Sequence, residues 1–384
     1  MIKDIRAREI LNSRGDPTIE VELETNKGIF KTSVPSGASV GKNEAVEIKT
    51  SKAIDNINNI IAKKLKGFNE KKQKKIDRFL IKLDGTSNKS NLGANAILAV
   101  SISVCRAGAF ARKKPLYEYI KKISGNWVRI RTMPKPCFNV INGGVHAGNK
   151  LDIQEFMIIP QGETFKSNLK KGARIYHDLK EVISKKYGRQ STNLGDEGGF
   201  SPRINDGLEV LELLRKIIRK KNIKIGLDVA ASQFKKDKYD IKFYQNIVKK
   251  YPIAFIEDPF GEEDWSSFKK ITTKLGKKIA IVGDDLLTTN INRMRLAYIK
   301  KACNGVIIKP NQIGTVTETL QAVKLAKLYK WKIIVSHRSG ETLDSFIADL
   351  AVGVSADYIK SGAPARGERL AKYNRLLKIE SELN

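Results

Sequence analysis

The chain has 384 residues, of which 41% are hydrophobic and 29% charged, a balance typical of a soluble globular protein. It contains no uninterrupted apolar run long enough to predict a membrane span. Its start, MIKDIRAREI, lacks the apolar segment of a signal peptide. Three widely spaced cysteines without a CxxC motif indicate buried or incidental thiols in a reducing compartment, so we expect a cytoplasmic protein.

The charge of the chain is strongly positive, since 71 Lys and Arg against 41 Asp and Glu give +30. Such a field favours anionic partners and can hold nucleic acid weakly. The positive charges are scattered over polar helix faces, as in AKKLKG and EKKQKK, without an RNA-binding aromatic signature or a zinc pattern. A general bias toward Lys, Ile and Asn is the favoured explanation, and a nucleic-acid or acidic-surface partner stays open as the alternative.

The first region of the chain predicts a small α+β domain over residues 1–125. Residues 18–25, TIEVELET, alternate apolar and acidic side chains and predict a half-buried strand, with NKG as a turn and IFKTSV as its hairpin partner. PSGASVGKN follows as a loop rich in Gly and Ser. Helical patterns cover residues 44–66 and 70–83, and GANAILAVSISVCRAGAFA predicts a buried helix.

The second region, residues 126–384, has the rhythm of a barrel. Six short apolar strands alternate with amphipathic helices from residue 223 onward: IKIGLD, IAFIED, IAIVGD, GVIIKP, KIIVSH and DYIKSG. Two earlier apolar runs, CFNVING and IQEFMIIP, raise the strand count to eight and predict a TIM-like barrel. An open doubly wound sheet is the alternative, disfavoured because no dinucleotide-binding glycine fingerprint is present.

Ionisable residues end all six of these strands, about one βα unit apart: Asp228, Glu257, Asp284, Lys309, His337 and Lys360. The carboxyl ends of barrel strands share one rim, where barrel enzymes carry their active sites. Ordinary capping explains any single polar strand end, but it explains six in succession poorly. We therefore expect these side chains to form an active site.

Charge indicates the chemistry of this rim. Asp228, Glu257 and Asp284 would repel one another unless a hard cation joined them, and an all-oxygen site suits Mg²⁺. Ion pairs with Lys309 and Lys360 are the alternative. Crowding by positive charge lowers the pKa of a lysine from its usual value of about 10.4, which would make it a base for a carbon-bound proton. Positive groups in VSHRSGE suit a phosphate.

Two further motifs add candidate residues. INGGVHAGNKLDIQEF carries His146, Gln154 and Glu155, and NLGDEGGF carries Glu197 between glycines. The chain has only three histidines. His177 lies in a helical pattern and is expected to be structural.

The ordered motifs resemble the enolase family over nearly the whole chain: LNSRGDPTIEVE, PSGAS, LDGTSNKSNLGANAILAVS, NGGVHA, IQEFMI, GDEGG, IEDPF, GDDL, KPNQIG, SHRSGET and SGAPARGERLAKYN. The resemblance implies an antiparallel amino-terminal domain, an atypical eight-stranded barrel with irregularly paired first strands, and a homodimer. It also implies a lyase that reversibly dehydrates 2-phospho-D-glycerate to phosphoenolpyruvate. A lysine base with Mg²⁺ stabilising the ene-diolate is the known pattern of enolase-superfamily sites.

The resemblance also implies roles for residues of this sequence. It makes Asp228, Glu257 and Asp284 ligands of a first Mg²⁺, and Ser39 a ligand of a second Mg²⁺ that binds with substrate. Lys309 becomes the base for the C2 proton and Glu197 the acid for the C3 hydroxyl, with Glu155 beside it and His337 near the leaving group. Substrate contacts fall on His146, Gln154, Glu155, Lys309, Arg338, Ser339 and Lys360, with Arg338 and Ser339 at the phosphate and Lys360 at the carboxylate.

Some features depart from the family pattern. The chain is shorter than familiar enolases, with Val40 where Thr is usual and Gln233 where Glu is usual. Two other functions remain as alternatives. An acid-sugar lyase on the same barrel is disfavoured by SHRSGET, GDEGG and Lys360, and a non-catalytic RNA-binding scaffold is disfavoured by the complete catalytic set. GASVGKN falls one residue short of a P-loop and lacks its Ser or Thr.

Overall fold

A computed structural model describes residues 1–37, 41–125, 132–219, 221–233 and 239–383. The described chain forms a three-stranded sheet with covering helices, followed by a closed barrel of eight strands. The TIM-like barrel and the smaller α+β unit predicted from the sequence are both confirmed. The expected boundary between residues 125 and 126 adjoins a stretch, 126–131, that lies outside the described residues.

The amino-terminal sheet is antiparallel, in the order β1-β2-β3, with bounds Ile2–Leu11, Pro17–Thr25 and Gly28–Ser33. Ile19, Val21 and Leu23 of β2 are fully buried, as the alternation of TIEVELET predicts. Sequence reasoning missed β1, because its many charges hide the strand pattern. Those charges face the acidic side of β2 across the sheet, with Arg8 opposite Glu20.

Helices cover this sheet: α1 Thr50–Asp55, α2 Ala62–Leu65, α3 Gln73–Asp84, α4 Ala94–Ala111 and α5 Leu116–Ser124. A π-helical stretch, Asn56–Ile61, joins α1 to α2. The helix predicted over residues 44–66 is wrong at its start, because residues 44–49 are not helical. The backbone N–H of Ala45 instead donates to the carbonyl of Gln312 at 2.8 Å, a long-range bond that local propensity does not reveal.

Helix α4 is long and apolar enough to cross a membrane by length and composition, which the sequence reading did not anticipate. Within the fold, 83% of that stretch is buried. It packs against β2 and β3 as the core helix of the amino-terminal unit, in agreement with the predicted burial.

The barrel closes in the order β10-β11-β4-β5-β6-β7-β8-β9. Its strands are β4 Lys135–Asn142, β5 Glu155–Pro160, β6 Ile223–Asp228, β7 Ile253–Glu257, β8 Ala280–Gly283, β9 Gly305–Ile308, β10 Lys332–Ser336 and β11 Tyr358–Lys360. Strand β5 runs antiparallel to both neighbours, and the other described pairs are parallel. This reversal is the irregular pairing that the family resemblance implies.

Helices surround the barrel: α6 Phe165–Tyr187, α7 Gly207–Ile218, α8 Ile241–Lys250, α9 Trp265–Leu275, α10 Ile291–Lys300, α11 Pro310–Ile313, α12 Val316–Leu328, α13 Phe346–Gly353 and α14 Gly367–Leu383. His177 lies exposed on α6, away from the barrel rim, as expected. The three cysteines are free and buried, as expected.

Candidate active site

Inward-facing positions of the barrel strands change from apolar to ionisable toward one end. An apolar cluster fills the interior below that end: Cys137, Met157, Ile159, Phe255, Ala280, Val282, Ile307 and Ile334. Gly226 faces Phe255, where a Cβ would lie 2.6 Å from the ring, so only glycine leaves room for it. Because side chains alternate along a strand, the residues two positions beyond this cluster also face inward. They include Glu257, Asp284 and Lys309.

The reversal of β5 brings three carboxylates side by side. Glu155 is the first residue of β5, yet it stands at the rim because β5 begins where its neighbours end. In the strand register Glu155 pairs with Asp228, and Asp228 pairs with Glu257. All three residues are buried, so their charges are poorly screened by water.

The ammonium group of Lys360 reaches across the barrel to these carboxylates. Its Nζ lies 3.1 Å from Glu155, 2.9 Å from Asp228 and 2.9 Å from Glu257. Burial disfavours the charged lysine, but the carboxylates outweigh it and hold the pKa of Lys360 well above its usual value. Lys360 is therefore cationic at neutral pH.

Lys309 forms an ion pair with Asp284 on the far side of the barrel, and Gln312 Nε2 donates to the same carboxylate at 2.9 Å. The strand-end pattern predicts a lowered pKa for a lysine crowded by other cations and by a metal ion, and that stays a prediction. Burial lowers the pKa of Lys309, but the charge of Asp284 reverses the direction and raises it. The positive charges of Arg338 and Lys360 lower the pKa of Lys309. If Asp284 bound another group in place of Lys309, the pKa of the lysine would therefore fall.

A loop brings Glu197 over the opposite side of the rim. Phe200 forms a parallel bridge with Ile141 of β4, and Gly198 takes the left-handed conformation at φ 82° directly after Glu197. Asn139 Nδ2 donates to Glu197 at 2.9 Å. Donor atoms of His146, Glu155 and Glu197 lie within 4.8 Å of one another.

The two carboxyls of this cluster have opposite pKa shifts. Burial, together with the charge of Glu197, raises the pKa of Glu155 well above its ordinary value. Burial also acts to raise the pKa of Glu197, but the charge that His337 and His146 carry when protonated outweighs it and shifts that pKa well below the ordinary value. The surroundings of Glu155 therefore favour its protonated form, and those of Glu197 favour its charged form.

Arg369 fixes the proton position of His337. Its fully buried guanidinium lies 2.7 Å from His337 Nδ1 and also donates to the carbonyls of Asp196, Arg338 and Ser339. Arginine has no acceptor, so Nδ1 must accept and a neutral ring carries its proton on Nε2. That Nε2 lies 3.4 Å from a carboxylate oxygen of Glu197. Burial lowers the pKa of His337 to about 4, so the ring is neutral at pH 7.

We expect the imidazole ¹⁵N spectrum to show His337 as the Nε2–H tautomer from pH 8 down to about pH 5. The chain has only three histidines, and His146→Gln and His177→Gln assign the other two. Because the folded-state pKa lies below the ordinary value of about 6.5, this contribution to stability is intact above pH 6.5 and is lost as the pH falls toward 4. An Nδ1–H ring, or a charged ring at pH 7, contradicts the assignment.

These groups line one small polar cavity at the rim of the barrel. Eleven of the thirteen residues predicted for the site line it: His146, Gln154, Glu155, Glu197, Asp228, Asp284, Lys309, His337, Arg338, Ser339 and Lys360. Glu257 lies below, fully buried and bonded to Lys360. Ser39, like Val40, lies outside the described residues.

Several buried polar atoms in this cavity have no hydrogen-bond partner in the described structure: His146 Nδ1, Gln154 Oε1, Glu155 Oε2 and His337 Nε2. An unsatisfied buried polar atom costs free energy, and a bound ligand, ion or water would satisfy it. The cavity is therefore suited to a polar ligand.

The donor set also fits a divalent cation. Lys309 and Lys360 do form ion pairs with these carboxylates, yet buried carboxylates outnumber the buried cations around the rim. Burial is the main cause that raises the pKa of Glu257 well above its ordinary value, and the neighbouring charge of Asp228 adds to it. A cation beside Glu257 would offset the negative charge of Asp228, and carboxylate oxygens are the ligands that hard cations prefer.

Sequence reasoning missed four residues that organise this site. Asp258 accepts the backbone N–H groups of Asp284 and Asp285, at 3.0 and 2.6 Å, and so orients the strand end. Asp285 lines the cavity beside Asp284. Each of these two aspartates directly follows a predicted metal ligand in the sequence, and that position could have marked them as candidates. Arg369 and Glu44 reach the rim from distant segments, and no local pattern marked them.

The fold and the site define a barrel enzyme built for acid–base chemistry on an anionic substrate. Sequence profiles agree: "Enolase, N-terminal domain" matches residues 2–120, and "Enolase, C-terminal TIM barrel domain" matches residues 130–243 and 239–384. The chain belongs to the enolase family, and that membership implies a divalent metal.

Full-length relatives show the same similarity. The chain is 50% identical to an enolase of Mastigamoeba balamuthi, 51% identical to enolase B of Dictyostelium discoideum and 49% identical to an enolase of Solanum lycopersicum. Each alignment covers all of this chain and 95–96% of the relative. The first alignment spans 422 positions against 384 residues here, so the relatives carry segments that this chain lacks.

Proposed function

We propose that this cavity performs the phosphopyruvate hydratase reaction, the reversible dehydration of 2-phospho-D-glycerate to phosphoenolpyruvate, with Lys309 as the base and Glu197 as the acid. The observation that carries the proposal is the placement of the two groups. Lys309 follows β9, and Glu197 lies beside Glu155 of β5, the strand diametrically opposite β9 in the closed barrel. A substrate between them meets a base on one face and an acid on the other.

Binding of the substrate falls to the cationic and polar groups of the rim. Arg338, with its planar guanidinium, suits the phosphate, and Ser339 lies next to it. Lys360, held cationic, suits the substrate carboxylate, and the unsatisfied Gln154 and His146 complete the polar contacts. His337, neutral with a proton on Nε2, can donate a hydrogen bond toward the leaving hydroxyl.

Proton transfer then follows from the charge balance. Removing the C2 proton places a second negative charge on the substrate carboxylate, and Lys360 stabilises it. Lys309 accepts the C2 proton as a neutral amine, after its own proton has passed to solvent, and loss of the ion pair with Asp284 favours that neutral form. The negative charge that develops beside Glu197 raises the pKa of that carboxyl, so the carboxyl can hold a proton and give it to the departing hydroxide, which leaves as water.

We propose Mg²⁺ as the divalent metal, with two ions per site. Asp228, Glu257 and Asp284 would hold the first, and Ser39 would reach the second when substrate is bound. The ions supply Lewis-acid stabilisation of the charged carboxylate intermediate. We also propose that the chain acts as a cytoplasmic homodimer with a domain boundary near residue 125.

A direct assay tests the reaction. Purified protein should convert 2-phosphoglycerate to a product with enol-phosphate ultraviolet absorbance, only when Mg²⁺ is present, and a chelator should stop it reversibly. Acid sugars tested under the same conditions should be inert. Turnover of an acid sugar without turnover of 2-phosphoglycerate would assign the barrel to another lyase.

The charge of +30 supports weak, nonspecific nucleic-acid binding as a separate property. We expect the affinity for single-stranded oligonucleotides to fall about 10- to 100-fold between 50 and 200 mM salt, as displacement of a few counterions requires. Fluorescence anisotropy with unrelated 20-mers measures it, and Lys309→Ala should bind like the wild type. Tight binding that selects a sequence at high salt contradicts a purely electrostatic origin.

A further inference from the structure

The segment of residues 41–47 lies against the chain that follows Lys309. Ala45 donates its backbone N–H to the carbonyl of Gln312 at 2.8 Å, and Val46 donates to the carbonyl of Asn88 at 2.8 Å. The backbone N–H of Gly41 donates to Oε1 of Glu44 at 3.0 Å. These bonds fix Glu44 at the rim, although no barrel strand carries it.

The carboxylate of Glu44 binds the guanidinium that we assign to the phosphate. Its Oε2 lies 2.8 Å from Arg338 NH1, and its Oε1 lies 3.4 Å from NH2. Both side chains are only 5% exposed, so water screens the pair little. The two charges therefore attract each other more strongly than the charges of a surface ion pair do.

The side chain of Gln312 connects Glu44 to Asp284. Gln312 Nε2 lies 3.4 Å from Glu44 Oε1 and donates to Asp284 at 2.9 Å. Thr289 fixes the other end of this amide with a hydrogen bond of 2.8 Å to Gln312 Oε1. Arg338, Glu44, Gln312 and Asp284 therefore form one connected polar network.

A phosphate dianion at Arg338 would meet a guanidinium that already has an anionic partner. Two anions that share one cation compete for it, and each weakens the hold of the other. The carboxylate also keeps the guanidinium plane from turning, because it holds NH1 and NH2 together. Glu44 thus lowers the affinity for phosphate while it fixes the direction of the arginine.

We propose that Glu44 is a positioning residue that competes with the substrate phosphate for Arg338 and thereby orients the guanidinium for productive binding. The inference rests on the proposed function. It makes a prediction that a purely structural role does not: removing the charge of Glu44 strengthens phosphate binding while it harms turnover.

Glu44→Gln tests this, because the amide keeps the size and can still accept from Gly41 while the charge is lost. We expect inorganic phosphate to bind about 3- to 10-fold tighter, since a close charge partner no longer competes. For 2-phosphoglycerate we expect KM to fall together with kcat, as less precise binding is also less productive. Isothermal calorimetry in Mg²⁺ and steady-state kinetics give the two readouts.

Two further variants control the test. Lys42 lies on the same segment, and its side chain is 80% exposed and 3.7 Å from Glu262. Because such a surface pair contributes little, the phosphate affinity of Lys42→Ala should stay within about 2-fold of the wild type. In an Arg338→Ala background the effect of Glu44→Gln should vanish, because the coupling runs through the guanidinium.

Unchanged or weaker phosphate binding by folded Glu44→Gln overturns the inference, as does no measurable binding by either protein. A rise in KM for 2-phosphoglycerate with an unchanged kcat also overturns the inference. These outcomes differ from a failure of the proposed function, which shows as a wild-type protein that does not convert 2-phosphoglycerate at all.

Discussion

Lys309→Ala is expected to abolish both dehydration of 2-phosphoglycerate and exchange of its C2 hydrogen with deuterated water. Glu197→Gln is expected to dehydrate very poorly and still exchange that hydrogen, because the proposed base and the three carboxylates proposed to hold the metal remain. Loss of a general acid or base costs roughly 10²- to 10⁴-fold in rate, and more where the base is essential. Proton NMR of the recovered substrate and the absorbance assay measure the two steps separately.

The comparison is informative because the two residues belong to different parts of the fold. Lys309 follows β9, whereas Glu197 lies on a separate loop bonded to Asn139 of β4. If Lys309→Ala exchanges the C2 hydrogen at the wild-type rate, another group is the base, and Lys360 becomes the next candidate. Circular dichroism should show a native fold in both variants, since neither change touches the apolar cluster of the barrel.

Asp284→Ala is expected to remove most of the Mg²⁺ affinity and nearly all activity while the fold survives. The change takes away one of three carboxylates proposed to hold the ion, and it leaves Lys309 without its ion-pair partner. The loss should exceed the roughly 10- to 100-fold that removal of an outer partner of a metal ligand costs. Calorimetric titration with Mg²⁺ and the absorbance assay measure the two effects.

Asp258→Asn is the graded control for this prediction. Asp258 orients the backbone of Asp284 and Asp285 through two hydrogen bonds, and an asparagine can accept only one of them well. We expect a Mg²⁺ affinity between those of the wild type and Asp284→Ala, with a loss of about 10- to 100-fold. Normal activity of Asp284→Ala at low Mg²⁺ would refute the metal site.

The sequence by itself determined the architecture, because its signals are local and periodic. Alternation in TIEVELET and short apolar runs at the spacing of βα units predicted the hairpin and the eight barrel strands. Ionisable residues at the strand ends predicted the rim, since parallel strands end at the same side of a barrel. Motif order over the whole chain predicted the family.

The tertiary structure decided what depends on contacts between distant segments. Strand β1 escaped prediction because the cross-strand partners of its charges lie on β2, and residues 44–49 are not helical because Gln312 and other distant groups bond their backbone. Glu44 and Arg369 act through contacts with Arg338 and His337, which lie far from at least one of them along the chain and come close only on folding. The pKa shifts of Lys309, Glu155 and Glu197 likewise depend on burial and on neighbours that folding brings together. The spacing of residues along the chain reveals neither the burial nor the neighbours.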